Sequence, residues 1–420
     1  MNTPITYTRI ASYYPFSRIL FTALYAFSVI LLFSTSAENS GLLLSMNLMA
    51  GSINGRFSTS LSKRLSVISV LINNLCNLRC KHCYLQARKN DNYLSPDEWH
   101  RFFVSLLSKT RPETLCFAGK EVFFDKQSAD IFFNAINLRN RMQENGRTKT
   151  EIGVITNGTL IHQYKKQLWE TPPDYIDISI DGLPDEHDLV RGNGSFEHMG
   201  KNLRWLMGHF KGNVWITHTV MSHNMESLPE FVRYVHDNFG ITRFSIGLYR
   251  ETSYTDNRLK LDQASISDLF RNTFHQLGQL RLNSPVEIIL EMDYTQTTFL
   301  PHLTATGWVE ADRPFSSVSH GYGNGLRLTV NSANIPVGLW RAIRVTPEGF
   351  WLAAEDLMEV KRYEEVVTAR LRDFHFDSEA LYHAGLHSER FQQLTLDGMN
   401  LPVTPTMPLF TDITTQPEAT

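Results

Sequence analysis

From residue 64 onward the sequence alternates between short β-branched apolar runs and longer amphipathic blocks, and that alternation leaves few folds open. Residues 65–72 (LSVISVLI) read as a buried strand. Ser95-Pro96-Asp97-Glu98 then opens a helix: Ser is a good N-cap, Pro suits the first helical position, and Glu98 completes a capping box. Trp99, Phe102, Phe103, Leu106 and Leu107 continue it at helical spacing. Strand-like blocks follow at 114–118, 151–155, 175–180, 214–220 and 242–248, with helix-like blocks at 129–142, 162–169, 196–210 and 225–239. Strands alternating with helices imply βαβ units and a parallel sheet, so residues 64–285 are expected to form an open or barrel-like α/β domain.

After residue 285 the rhythm weakens. Short strands are expected at 286–290, 325–330, 342–345 and 350–353, with a helix near 363–371, which makes 286–401 a smaller C-terminal extension. Residues 402–420 hold four prolines in Thr-rich polar sequence and read as a mobile tail. At the other end, residues 1–63 contain an uncharged apolar stretch, 19–37. It is long enough to span a bilayer, it could be a signal peptide cleaved near Thr35-Ser36-Ala37, or translation starts later, at Met46 or Met49.

Only four cysteines occur in 420 residues, and three of them fall within eight positions, as Cys76, Cys80 and Cys83. That packing is not a disulfide framework but metal ligation in a reducing compartment. The triplet directly follows the first strand, and so lies at the carboxyl end of the sheet, where α/β active sites sit. Three thiolates can hold three irons of a four-iron cube and leave the fourth open. Zinc held by Cys76, Cys80, Cys83 and His82 is the alternative. Cys116, in an apolar run, reads as a buried core thiol. The net charge of −3 gives no basic field for nucleic acid.

The segment Cys76-Asn77-Leu78-Arg79-Cys80-Lys81-His82-Cys83 resembles the cluster loop of the radical S-adenosylmethionine (SAM) superfamily, C-x3-C-x2-C with an aromatic residue before the last cysteine. Three further segments are similar to that family's motifs in the same order. Phe117-Ala118-Gly119-Lys120-Glu121 stands where the family carries Gly-Gly-Glu, Thr156-Asn157-Gly158-Thr159-Leu160 resembles T-N-G-x-L, and Ser179-Ile180-Asp181-Gly182 resembles S-x-D-G. Its continuation through Pro184, His187-Asp188, Arg191 and Ser195-Phe196 resembles the peptide- and protein-modifying branch, of sulfatase-maturase or SPASM/twitch type. The resemblance covers about residues 66–250.

This likeness implies a partial (β/α)6 TIM-like barrel with a small α+β C-terminal extension. It also implies one [4Fe–4S] cluster on Cys76, Cys80 and Cys83, and SAM, which is cleaved reductively to a 5′-deoxyadenosyl radical. Candidate SAM contacts are His82 near the adenine, Gly119 and Glu121 at the amino group, Asn157, Ser179 and Asp181 on one strand face, Arg191 at the carboxylate, and Leu248, with Tyr249, at the end of the sixth strand. The implied substrate is a peptide or protein side chain, with a small molecule, or a degenerate cofactor- or zinc-binding module, as alternatives. The implied partners are an electron donor such as flavodoxin or ferredoxin and, because residues 1–63 do not resemble a leader-binding domain, a separate leader-binding protein. The implied location is cytoplasmic, with residues 19–37 as an optional anchor. The chain departs from the branch in two places. Lys120 replaces the second Gly of Gly-Gly-Glu, and no cysteine follows Cys116, so the extension lacks auxiliary-cluster ligands.

Overall fold

Six strands form close to where the sequence puts them: β1 (Val67–Val70), β2 (Thr114–Phe117), β3 (Glu151–Thr156), β4 (Tyr175–Ser179), β5 (Asn213–Val220) and β6 (Arg243–Leu248). They belong to a computed structural model that describes residues 67–85, 92–252, 255–292, 299–309, 317–331, 342–353 and 369–386. The helices between them are α1 (Pro96–Ser105), α2 (Lys126–Glu144), α3 (Lys165–Glu170), α4 (Pro184–Arg191), α5 (Ser195–His209) and α6 (Leu228–Phe239). The capping box at the start of α1 is present: the Glu98 N–H donates to Ser95 Oγ, and the Ser95 N–H donates to Glu98 Oε2 at 2.8 Å. Neighbours from β1 to β6 pair in parallel, as a chain of strand–helix–strand units requires.

Strand alternation divides the sheet into two faces. Ile68, Leu115, Phe117, Val154, Ile176, Ile178, Ile216 and Ile246 join the main apolar core with Phe103, Phe132, Leu203, Phe231 and Val235 of the helices. The intervening positions, among them Ser69, Cys116, Gly153, Asp177, Ser179 and Thr217, look away from the helices into the hollow of a partial TIM-type barrel.

The strands beyond residue 285 do not form a sheet of their own. β7 (Val286–Glu291), β8 (Ser317–Gly321) and β9 (Leu326–Asn331) lengthen one edge, while β10 (Ala342–Val345), β11 (Phe350–Ala353) and β12 (Ala369–Arg370) lengthen the other, where β10 pairs in parallel with β1. The full order is β12-β11-β10-β1-β2-β3-β4-β5-β6-β7-β9-β8. The expected helix near 363–371 needs correction, because Ala369–Arg370 is a strand antiparallel to β11 and Leu371 begins a turn. Pairing with an open strand edge outweighs weak local helix preference here. Residues 363–368, the apolar stretch 19–37 and the tail 402–420 lie outside the described residues. Among those described, no helix is long and apolar enough to cross a membrane.

One glycine of the inner face is fixed by contact rather than by backbone angle. A Cβ on Gly153 would lie 2.1 Å from the Tyr175 ring, which fills the space beside β3. Gly153→Ala should therefore destabilise the protein by about 1–3 kcal/mol, the usual cost of overpacking, as read by urea unfolding. An unchanged midpoint would mean that Tyr175 does not pack there.

Candidate functional site

The cysteine loop leaves the carboxyl end of β1 and is fixed from three directions. On the first side, the buried Asn73 side chain donates to the Glu121 carbonyl at 3.0 Å and to Ser128 Oγ at 2.7 Å, and accepts from the Leu75 N–H. The Glu121 N–H donates back to the Leu75 carbonyl at 2.9 Å. Glu121 follows Gly119 and Lys120, both in the left-handed region at φ 96° and 47°. Only glycine suits the first position, where a Cβ would lie 2.8 Å from Leu85 Cδ1. Lys120 tolerates the second at the modest cost of a non-glycine residue there.

Glu121 itself is 1% exposed. Its Oε1 accepts from Thr156 Oγ1 at 2.7 Å and from the Phe123 N–H at 3.1 Å, and its Oε2 accepts from the Asn157 N–H at 2.9 Å. Burial raises its pKa against these hydrogen bonds. The carboxylate thus ties the end of β2 to the end of β3, and both oxygens already have partners within the chain.

On the second side, Asn157 reaches the loop directly. Its Nδ2 donates to Asn77 Oδ1 at 3.0 Å and lies 3.7 Å from Cys76 Sγ, while Asn77 donates to Thr159 Oγ1 at 2.9 Å. The Leu78 N–H also points at Cys76 Sγ, at 3.4 Å.

The third side is built on Asp181, which is fully buried. Its Oδ2 accepts from Arg191 Nε at 2.5 Å and lies 3.3 Å from His82 Nε2, and its Oδ1 accepts from the Thr219 N–H at 2.9 Å. Burial opposes the ionised form, but Arg191 and the neighbouring histidines override it and hold the carboxyl well below the usual range. Burial lowers His82 to about 4, so the ring is neutral. The loop backbone joins the same cluster, with the Lys81 N–H donating to the Val190 carbonyl at 2.9 Å. Asn224, fully buried, donates to the carbonyls of Asp181 and Thr219, and His187 Nδ1 accepts from the Asp181 N–H at 3.2 Å.

The three loop cysteines are reduced and partly exposed. Burial raises the Cys76 thiol and pushes Cys80 up to about 11; Glu121 and Cys83 raise Cys76 further, and Cys83, Asp181 and Cys76 raise Cys80. Arg191 is the largest influence favouring the Cys80 thiolate. Among the described residues no three His, Cys, Asp or Glu side chains converge on a single ion, and His82 is turned to Asp181. A four-iron cube takes one thiolate on each of three irons and needs a wider spread of sulfurs than one zinc ion. The donor set fits the cube.

Residues 70–235 match the Radical SAM superfamily. The chain carries a radical SAM domain. The cofactors of that superfamily are a [4Fe–4S] cluster and SAM. Fe-coproporphyrin III synthase of Methanosarcina barkeri is 33% identical over 126 residues, 29% of each chain. The subtilosin biosynthesis protein AlbA of Bacillus subtilis is 27% identical over 157 residues, 34% of this chain and 33% of its own. These matches span about a third of either relative. Among solved structures, Streptococcus suis SuiB bound to SAM superposes with a TM-score of 0.59 at 14% identity, covering 86% of this chain and 74% of SuiB. SuiB bound to its precursor peptide SuiA gives 0.58 at 15% identity, covering 79% and 67%. At such identities the likeness concerns the fold.

Measured against the expected contacts of this radical SAM domain, His82, Gly119, Glu121, Asn157, Asp181 and Arg191 do gather around the cysteine loop, and Ser179 lies on the inner face of β4, 8% exposed. Leu248 does not present its side chain there: it is buried in the core on the helix side. Tyr249 is also buried, its hydroxyl donating to the Asp256 carbonyl. Asn73 and Asn224 carry no recognisable signal in the sequence, since polar residues beside a motif become supports only through distant partners; His187 stands in the segment that resembles the peptide-modifying branch, but its bond to Asp181 is not legible there. Asp181→Asn would leave Arg191 buried without a counter-charge. We expect it to cost the metal-free protein about 3–5 kcal/mol in urea unfolding. Combined with Arg191→Met, the loss should fall short of the sum of the two single losses. Strict additivity would mean that the two residues do not act as a pair.

Proposed function

We propose that the protein is a radical SAM enzyme that cleaves SAM reductively and modifies a peptide or protein side chain. The observation that carries this reading is the three-sided support of the Cys76–Cys83 loop at the mouth of the hollow. When bound, the cluster supplies the electron that breaks the sulfonium and generates the 5′-deoxyadenosyl radical. Cys76, Cys80 and Cys83 would hold it. Binding iron requires the thiols as thiolates, so cluster assembly releases protons, and burial opposes that ionisation at Cys76 and Cys80. Arg191 would favour thiolate at Cys80, and the donors of Asn157 and Leu78 would stabilise negative charge on Cys76.

Within this reading most of the motif residues position others. Glu121 and Asp181 have their oxygens engaged by the chain, so they would act on SAM by fixing Asn157, His82 and Arg191. Gly119, Ser179 and the backbone at Leu248 remain candidates for direct contact. His82 would present a neutral ring to the adenine.

A peptide substrate is supported by the continuity of the extension strands with the barrel sheet and by overall likeness to a fold that, in SuiB, has been solved with a precursor peptide. The partners would then be that peptide, a separate leader-binding protein and a one-electron donor such as flavodoxin or ferredoxin. A small-molecule substrate is the second reading, favoured by the 33% identity to Fe-coproporphyrin III synthase.

Protein reconstituted without oxygen should bind about four irons per chain and, with a reductant, release 5′-deoxyadenosine from SAM. Replacing Cys76, Cys80 and Cys83 together by Ala should abolish both, while Cys116→Ala retains both. Stoichiometric zinc, about eight irons, or unchanged 5′-deoxyadenosine in the triple variant would contradict the assignment. A SAM-dependent mass change in a co-incubated precursor peptide would support the substrate class. Turnover of a small molecule alone would favour the second reading.

A further inference from the structure

One side of the cysteine loop is covered. Cys83 and Tyr84 pack against Leu71, Leu85, Phe350 and Leu352, so the extension strand β11 closes that flank. Around the rest of the loop three large apolar side chains stand in solvent: Leu75 is 43% exposed, Phe124 39% and Leu189 53%. Backbone hydrogen bonds tie each of them to the loop. The Leu75 carbonyl accepts from the Glu121 N–H at 2.9 Å, and the Glu121 carbonyl accepts from the Phe124 N–H at 3.2 Å. Toward the other end of the loop, the Lys81 N–H donates at 2.9 Å to the carbonyl of Val190, the neighbour of Leu189. Single exposed apolar residues are ordinary, but three gathered at one short loop mark a contact surface.

The charge on this surface is positive. Arg79 and Lys81 are exposed and Lys120 is half-buried, and none of the three joins an ion pair among the described residues. Arg79 lies along the loop, its Nη1 donating to the carbonyls of Cys76 and Leu78 at 3.0 and 3.1 Å. The left-handed turn before Glu121 brings Lys120 within electrostatic reach of Cys76. Carboxylates beside the loop are already engaged. Asp256, whose N–H donates to the Lys81 carbonyl at 3.0 Å, is paired with Arg258 through both oxygens, and Asp125 caps α2 through the Ser128 N–H and hydroxyl. Asp185, one turn before Leu189, is exposed and unpaired among the described residues, so three cations face one free carboxylate. In a chain of net charge −3 this local excess opposes the overall balance.

We propose that this surface docks an acidic one-electron carrier protein, with Leu75, Phe124 and Leu189 in contact and Arg79, Lys81 and Lys120 supplying the attraction. The docking rests on the reading of the protein as a radical SAM enzyme and names where that enzyme takes up its electron. Electron exchange between proteins needs only a small, transient contact. Apolar side chains give such a contact its centre, and a rim of one charge steers and orients the partner. The loop between these residues carries all three cluster cysteines, so a carrier seated here lies against the ligands themselves. In the step, the reduced carrier gives up one electron, the [4Fe–4S]²⁺ cluster becomes [4Fe–4S]⁺, and no atom is transferred. The apolar side chains among the cations favour a protein over duplex DNA, whose backbone offers charge without apolar contact.

The test measures binding, by calorimetric titration of the cluster-loaded full-length protein with a flavodoxin of strongly negative charge. At low salt the flavodoxin should bind saturably. Lys81→Glu should weaken binding about five-fold, the worth of a surface charge pair, and Phe124→Ser by about as much. Lys166→Glu, which removes an exposed cation on α3, should leave it unchanged. Raising the salt to about 0.5 M should erase the difference between Lys81→Glu and the parent. Iron content and circular dichroism check that each variant keeps its cluster and fold, and Leu189→Ser replaces Phe124→Ser if the latter does not. No binding, binding indifferent to salt, undiminished binding in Lys81→Glu or in the apolar variant, or an equal loss in Lys166→Glu would overturn the proposal. Tighter association with phosphatidylglycerol vesicles, lost in the same variants, would assign the surface to a membrane and overturn it too. Failure of the enzymatic reading would appear instead as absence of 5′-deoxyadenosine when dithionite replaces the carrier, which the titration does not measure.

Discussion

One buried carboxylate organises the site. Asp181 has no exposed surface, yet it stays ionised because Arg191, His82 and the Thr219 N–H converge on it. Those partners belong to α4, to the cysteine loop and to β5, so a single charge joins three segments distant in sequence. A buried ion pair brings little net stability compared with apolar packing, but breaking one side is costly. Its physical value here is positional. It stops His82 from turning toward the thiols, and it holds Arg191 beside Cys80.

The same logic explains the other two supports. Glu121 and Asn157 link residues 35 or more positions apart through hydrogen bonds that only the folded barrel can make. Together they hold a loop that has little regular structure of its own and that must place three mutually repelling sulfurs. Beneath that loop the hollow is lined by residues that the apolar core does not need, from Ser179 down to Asp177 and Trp215. The extension closes the arrangement without cysteine: β10 pairs with β1, Asn74 donates to Glu348, Arg372 takes both oxygens of Glu98, and Trp351 is buried in the core beside Phe102.

The strand–helix order was legible because period-two and period-3.6 patterns are local, and the Ser95–Glu98 capping box was readable for the same reason. The cysteine triplet was legible because its ligand chemistry is written in residue type and spacing. Residue roles were less so. Spacing placed Ser179 and Asp181 on one strand face but could not reveal that Arg191 and His82 saturate Asp181. Glu121 looked like an acceptor for SAM until Thr156, Asn157 and Phe123 were brought to it. The end of the sixth strand suggests Leu248 as a contact, but alternation turns its side chain outward to the helices. The local pattern at 369–370 predicts helix because nothing in it announces the strand edge of β11 nearby.

The central claim is that these three supports hold a cluster whose fourth iron is open to SAM. Low-temperature electron paramagnetic resonance of the reconstituted, reduced protein, recorded before and after addition of SAM, tests it most directly. A [4Fe–4S]⁺ signal that changes its g-values when SAM is added is the expected result. A signal indifferent to SAM, or no iron–sulfur signal in protein carrying its full complement of zinc, would contradict the account.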